Sequence, residues 1–561
     1  MSLLLAISVG PVQEFIAAAR RTRDLWFGSY LLSEISRAVA KAVEYQGGTL
    51  IFPASSDAEN VANVILAELP AGEPKDVAIK ARQAAQQHWR KVADEAQRGA
   101  SGVIRSEIWS DQVDDVIELY AAWVARSDDY PADRARLMRL LAGRKNCRDF
   151  LPAKGRAGVP KSSLDGQRES VLKPPAEWPN RFRARLRIRE GEQLDVVGLV
   201  KRVAGGNQPY PSVARIAADP WVRGNQHRLG ALTSGCDQLE TQAIIRRLDT
   251  TAYPQFAAFP YEGTAVYTSR HHELIEETEA TADQLRPLCG ALARLPQPEP
   301  YLAILVADGD RMGAAISTLT SADAHRQFSE ALAGFAHEAR QIVNAHNGVL
   351  VYAGGDDVLA FLPVDKCQEC ARELHDKFGE SLNEYKNEEG KPPTLSVGIA
   401  VGHFMENLED LLSYGRAAEK AAKEPDRDGL AMHLHKRGGA PIRVRGRWSD
   451  NPDERLTNFA KLMNQGIIPT KLPYELRAMA RLYEPWQQNA DSAIRMDLIR
   501  LIAKKQSRGV DTVKKALEGY LDEMNSAKLL SLADELLVAR QIATALRQVT
   551  ERPAPVMGAA T

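Results

Sequence analysis

The chain is short of cysteine, short of aromatic residues, without long apolar runs and almost without net charge, and most of these shortages exclude something. Five scattered cysteines in 561 residues, an odd number, make no disulfide framework and fit a reducing compartment. No stretch approaches the roughly 18 uncharged apolar residues that cross a bilayer, and the opening "MSLLLAISVGPVQEF" lacks the basic start and cleavage site of a signal peptide. The expected location is the cytoplasm, with no membrane partner. A net charge of -1 gives no global field to draw in nucleic acid, so any such binding must come from local patches.

What is present is ordinary globular material. With 44% hydrophobic and 26% charged residues, the chain can build several cores, and a prior of about 100–200 residues per domain suggests three or four. The first fifty residues read as strand, helix and strand, with Pro11 opening the helical stretch and Gly47 and Gly48 closing it. Residues 58 to 126 read as mostly helical, and 128 to 179, rich in Gly, Pro, Lys and Arg, as a long functional loop. "RFRARLRIREGEQLDVVGLVKR" reads as a hairpin turning near Gly191. From Tyr301 the pattern alternates strand and helix to about residue 435, which predicts a compact sheet with helices on one face. After Arg447 strand signals stop and a helical bundle follows, with a loose end over the last ten residues.

The chain repeats itself. "LAISVGPVQEFI" (5–16) lies over "LAILVADGDRMG" (302–313), and "GTLIFPASSD" (48–57) over "GVLVYAGGDD" (348–357). Where the second copy has Asp308 and Asp310 the first has Pro11 and Gln13, and Ala54, Ser55 and Ser56 stand opposite Gly354, Gly355 and Asp356. Only Asp57, opposite Asp357, survives in the first copy; otherwise one copy kept its acids and the other did not.

In the second copy, Asp308 ends an apolar strand while Asp356 and Asp357 occupy a hairpin turn. If strands 302–307 and 348–353 are neighbours, three carboxylates converge, and their repulsion raises their pKa values unless a cation is present. Hard oxygen donors of this kind suit Mg or Mn, two ions of which would serve phosphoryl transfer. Gly354 and Gly355 leave room and backbone N–H groups for a phosphate. A plain Gly/Asp hairpin is the competing reading; Asp308, the βαββαβ context and the missing acids in the twin favour a metal-nucleotide site. Lys420 and Lys423, on the last helix of this unit, either reach a triphosphate or make a solvated face.

"AGGDD" with "ADGDRMG" resembles the cyclase and polymerase palm shared with GGDEF proteins. "GPVQEFIAAARRTRDLWFGSYLLS", "GVPKSSLDGQRESVL" and "LVKR" (199–202) resemble the large subunit of type III CRISPR effector complexes, of the Cmr kind. The likeness runs to about residue 440. It implies an α+β chain with two ferredoxin-like, GGDEF-like palm domains, helical insertions and a C-terminal helical bundle. The expected divisions are a degenerate palm at 1–210, a mostly helical linking domain at 211–296, the GGDD palm at 297–447 and a helical domain at 448–561. The activity implied is a nucleotidyltransferase making cyclic oligoadenylates from ATP when the complex captures target RNA. Asp308, Asp356 and Asp357 would hold the metals and be catalytic; Gly309, Gly354, Gly355, Asp310 and Lys423 would bind the nucleotide, Asp310 alternatively orienting its loop. Implied partners are the other Cmr-type subunits, guide RNA, target RNA and ATP. Since the chain opens at the palm strand and His375–Asp376 lacks spaced histidines, HD-type DNA cleavage is not expected. Neither is zinc: Cys147 stands alone, and Cys367 with Cys370 has no second pair.

Two alternatives stand beside this reading: a silent scaffold for guide RNA and partner subunits, and a stand-alone GGDEF-like cyclase. Arg181, Arg183, Arg185, Arg187 and Arg189 would share one face of a strand, suited to RNA, to an acidic partner, or to guarding a sheet edge. Arg20, Arg21 and Arg23 beside Trp26 give a possible nucleotide or interface patch.

Overall fold

The computed structural model describes residues 2–147, 155–179, 182–205, 210–505 and 525–550, together with 512, 515 and 517. The first unit comprises β1 (Leu3–Gly10), α1 (Gln13–Ala17), α2 (Thr22–Tyr45), β2 (Thr49–Phe52), β3 (Val64–Leu69), α3 (Pro74–Gly99), α4 (Ser106–Val113), β4 (Glu118–Ala125) and α5 (Tyr130–Asn146). Its antiparallel sheet has the order β2-β3-β1-β4. Two short helices, α6 (Phe182–Leu186) and α7 (Val196–Ala204), return to pack in the same core as α2 and α3.

Helices α8 (Val213–Ala217), α9 (Asp219–Asn225), α10 (Gly230–Thr241), α11 (His271–Thr278) and α12 (Ala282–Leu292) then lead to the second unit. It runs β5 (Tyr301–Asp310), α13 (Met312–Ser317), α14 (Ala322–Ala345), β6 (Val349–Gly354), β7 (Asp357–Leu362), α15 (Cys367–Leu382), β8 (Thr394–His403), α16 (Leu408–Lys423), β9 (Gly429–Leu434) and β10 (Ile442–Arg447). The sheet order is β10-β9-β8-β5-β7-β6, antiparallel except for the β8–β9 pair. Its β6-β7-β5-β8 part repeats the β2-β3-β1-β4 order of the first unit, so the sequence repeat is also a repeat of topology. Helices α17 (Pro452–Asn464), α18 (Leu472–Tyr483), α19 (Asp491–Lys505) and α20 (Ser526–Thr550) complete the described chain.

The second sheet is covered on both faces, not one. Ala303 and Leu305 face a core shared with α14, α15 and the C-terminal helices, while Leu302 and Ile304 face one shared with α8 to α12 and the start of α16. A strand apolar on both sides, such as "YLAILVA", requires that double cover.

Other expectations also give way. β3 and β4 lie in the stretch read as helical, because a six-residue apolar run such as "VILAEL" does not distinguish strand from buried helix. The stretch read as a loop begins with α5. The hairpin near Gly191 is a turn between α6 and α7, so the arginine stripe does not lie on a strand. Phe182, Leu186 and Ile188 are buried, and the arginines between them go to separate partners. Arg181 and the last ten residues lie outside the described residues.

Close approach of α16 to the sheet depends on glycine. A Cβ at Gly398 would lie 2.0 Å from the backbone nitrogen of Glu419, and one at Gly415 would lie 2.8 Å from Val306. Gly402 meets Leu411 in the same way, at 2.5 Å. In the first unit Arg202, fully buried, is held at 2.9 Å by Asp24, which ties α7 to α2, and at 2.8 Å by Glu192 in the turn before α7. Overpacking at a backbone contact costs about 1–3 kcal/mol. Gly398→Ala should therefore lower the melting temperature clearly, whereas Gly334→Ala, exposed in α14 with open space around its Cβ, should raise it through a gain of about 0.5–1 kcal/mol. Equal melting temperatures for the two variants would contradict this packing.

Candidate functional site

The site forms where β5 meets the β6–β7 hairpin. β5 pairs with β7, not with β6 as the hypothesis of adjacent 302–307 and 348–353 strands required, and the carboxylates converge all the same. The register Ala307↔Val358 sets Asp308 opposite Asp357 at the next position. Opposed residues on an antiparallel pair have Cβ atoms about 5 Å apart, near enough for two carboxyl groups to share a proton.

Glycines shape the opening. Gly355 has φ +72°, which a β-carbon disfavours, and a Cβ at Gly354 or Gly355 would meet nothing within 4 Å, so the turn faces free space. At Gly309 the reverse holds: a Cβ would lie 2.7 Å from that of Asp356, so only glycine lets the turn rest against β5.

The carboxyls differ in proton affinity. Burial, and then the charge of Asp308, push Asp356 up to about 6. The surrounding protein, the hydrogen bond Asp357 donates to Asp308, and the charges of Asp356 and Asp308 push Asp357 up to about 9. Because Asp357 reaches solvent, that hydrogen bond and the neighbouring charges weigh more than burial. Asp308 is held below the usual carboxylate range: burial opposes, but the Asp357 hydrogen bond and the Lys423 ammonium prevail.

Lys423, the last residue of α16, pairs with Asp308 and, at 2.6 Å, with Glu419 one turn earlier. Burial opposes its charge, and these two partners raise its pKa nonetheless. Lys420 is exposed and takes no part.

Asp310 sits beside the cluster but beneath the surface. Its Oδ2 accepts from Ser396 Oγ at 2.7 Å, Thr394 Oγ1 at 2.9 Å and the Asp428 backbone N–H at 3.0 Å, and Arg427 lies 3.4 Å from Oδ1. It anchors the loop after α16, a different segment from its own loop, which it was expected to orient if it did not bind the nucleotide.

The structure thus brings together Asp308, Asp356, Asp357, Gly309, Gly354, Gly355 and Lys423. Sequence reading missed Glu419, whose i,i+4 spacing from Lys423 was a usable signal, and Thr394 and Ser396, which gave none. Three hard oxygen donors beside open space fit divalent cations. Among the described residues no three His, Cys, Asp or Glu side chains already stand in coordination geometry, and Lys423 pairs with Asp308.

Other motifs resolve structurally. Cys367 and Cys370 lie in the core, where burial pushes both thiols up. His375 bonds Asp376 and Asp428, both at 2.9 Å, with its ring 4.6 Å from that of Trp448. The counterpart turn in the first unit is bound by local pairs, Ser56 to Glu44 at 2.6 Å and Asp57 to Lys41 at 3.1 Å. It abuts the second unit through Asn60, which donates to Ala353 O at 3.0 Å.

Raised carboxyl pKa values give stability that is complete at pH below about 4 and is lost as pH rises through about 6 for Asp356 and about 9 for Asp357. Manganese, binding the ionised forms, should raise the melting temperature more at pH 9 than at pH 5. Asp357→Asn should flatten that pH dependence, and a manganese effect equal at both pH values would contradict the proton-loaded cluster.

Two family models match the chain: the second palm domain of Cas10/Cmr2 over residues 301–431 and the N-terminal region of the CRISPR-associated protein Cmr2 over residues 4–94. The Cmr subunit Cmr2 of the CRISPR system of Pyrococcus furiosus is 36% identical over 182 residues, covering 27% of this chain and 20% of that one. The match therefore spans about a fifth of the length of that relative. Among solved structures, a chain of the type III-B Cmr-beta complex in its apo state aligns with 97% of this chain and 82% of its own, at TM-score 0.68 and 13% identity. A chain of the same complex bound to cognate target RNA aligns with 97% and 83%, at TM-score 0.63 and 14% identity.

Proposed function

We propose that this chain, a large subunit of the Cas10/Cmr2 type carrying a palm domain, makes cyclic oligoadenylates from ATP inside an RNA-guided complex. The observation that carries the reading is the meeting of Asp308, Asp356 and Asp357 at a glycine turn open to solvent, with Lys423 on the first of them. The first unit, of like topology, has no such cluster in the corresponding turn.

The reaction joins a ribose hydroxyl oxygen to an α-phosphorus as the bond to pyrophosphate breaks. Asp308, Asp356 and Asp357 would hold two Mg or Mn ions, which would supply charge neutralisation for the triphosphate and a lower pKa for the attacking hydroxyl. The chain's own groups do the rest. Gly354 and Gly355 leave space and backbone N–H groups for phosphate oxygens. The Lys423 ammonium can turn from Asp308 to a phosphate while Glu419 keeps it in place. Asp310 fixes the 424–428 loop, so the end of α16 stays within reach.

A chain of this fold occurs in a Cmr-beta complex bound to cognate target RNA. We carry over guide RNA, target RNA and other Cmr-type subunits as partners, with the cytoplasm as location.

The test uses the complex assembled with guide RNA, complementary target RNA, ATP and manganese, its products read by mass spectrometry. Cyclic adenylates should form, and Asp356→Ala/Asp357→Ala should lower their yield by about 100-fold or more. Lys423→Ala should raise KM for ATP more than it lowers kcat. Untouched ATP with the wild type, or equal product from the double variant, would contradict the reading.

A further inference from the structure

A cleft of about 890 Å³ lies at the opposite end of α16 from Lys423, where the α1–α2 junction, α6 and the segment after α10 meet. Nine arginines and seven glutamates line it. The volume is that of a nucleotide-sized site.

Most of the glutamates are already committed. Glu277 pairs with Arg21 at 2.7 Å and Arg189 at 3.1 Å, Glu262 with Arg187 at 3.5 Å, and Glu192 with buried Arg202 at 2.8 Å. These pairs fix the guanidinium groups of one wall in place. Arg20, Arg185 and Arg246 form no ion pair among the described residues; each donates only to a backbone carbonyl, Ser163, Gly99 and Arg185 respectively. Glu406 and Glu409 stand on the wall built from the start of α16, so an anion would be confined to the arginine wall.

Two of the arginines are held in a dry environment. Burial pushes Arg23 down to about 9, with Asp24 opposing and Arg246, Arg202 and Arg21 reinforcing. Burial also lowers Arg246, with Glu262 and Glu277 opposing and Arg187 and Arg21 reinforcing. With nine arginines to seven glutamates in the lining, positive charge is left for a ligand to neutralise.

We infer that this cleft binds the phosphate groups of a nucleotide ligand, either a single RNA strand or a free nucleoside triphosphate, through Arg20, Arg185 and Arg246. The inference is independent of the catalytic reading, since the site shares no residue with the Asp308 cluster.

The test is fluorescence anisotropy of the full chain with a labelled single-stranded RNA 12-mer in EDTA, which keeps divalent ions from the carboxylates. Unlabelled ATP and pyrophosphate serve as competitors. Arg20→Ala/Arg246→Ala should weaken binding about tenfold and reduce the slope of log K against log salt by about 1–2. Arg20→Lys/Arg246→Lys should recover most of the loss. Displacement by RNA alone identifies a strand; displacement by ATP or pyrophosphate at comparable phosphate concentration identifies a free phosphate ligand. Arg20→Glu, on an exposed side chain, is the second variant should the double one melt early, with a loss of about fivefold expected. Unchanged affinity and salt slope in a variant with native melting temperature, or no binding of any of the three probes by the wild type, would overturn the inference.

Discussion

Three carboxyl groups packed around the end of one strand cannot all carry charge at neutral pH without a counter-cation. The geometry around Asp308 enforces that conflict. The strand register puts Asp357 opposite it, and Gly309 lets Asp356 approach to a distance that any β-carbon would block. The protein meets the conflict by pushing Asp357 up to about 9, so that it holds its proton at neutral pH, and by setting the Lys423 ammonium on Asp308. Proton and ammonium are both exchangeable, and so the cluster is a place where cations can enter.

The ammonium is available only because α16 lies unusually close to its sheet. Gly398 and Gly415 allow contact at backbone distance, and the last turn of the helix reaches the carboxylates. Asp310, buried under Ser396, Thr394 and the Asp428 N–H, holds the chain just past that turn. The first unit has the same strand order but pairs its corresponding turn internally, and it contacts the second through Asn60 and Ala353. Duplication supplied two equivalent frames; substitution left the acidic cluster in one of them.

Much of this was legible in the sequence, for identifiable reasons. The second sheet was readable because its strands are long, apolar and separated by amphipathic helices, and the carboxylates because they end such strands. The repeat was readable because both copies kept their apolar pattern while their turns diverged. Strands β3 and β4 were not, since short apolar runs inside a helical context carry no distinguishing period. The arginine run misled: its alternation was real, but charge pairing to Glu273 and Glu277 and burial of Phe182, Leu186 and Ile188 outweighed strand propensity. Asp310 differs from Asp308 in being buried under Thr394, Ser396 and the Asp428 N–H, partners that sequence alone does not display.

The central claim is that the cluster holds a proton which divalent cations displace. Calorimetric titration of manganese into the chain at pH 7, repeated in buffers of different ionisation enthalpy, counts that proton directly. With Asp357 pushed up to about 9 and Asp356 to about 6, the account predicts release of about one proton per site from the wild type and none from Asp357→Asn. A binding heat that does not change with buffer would contradict it.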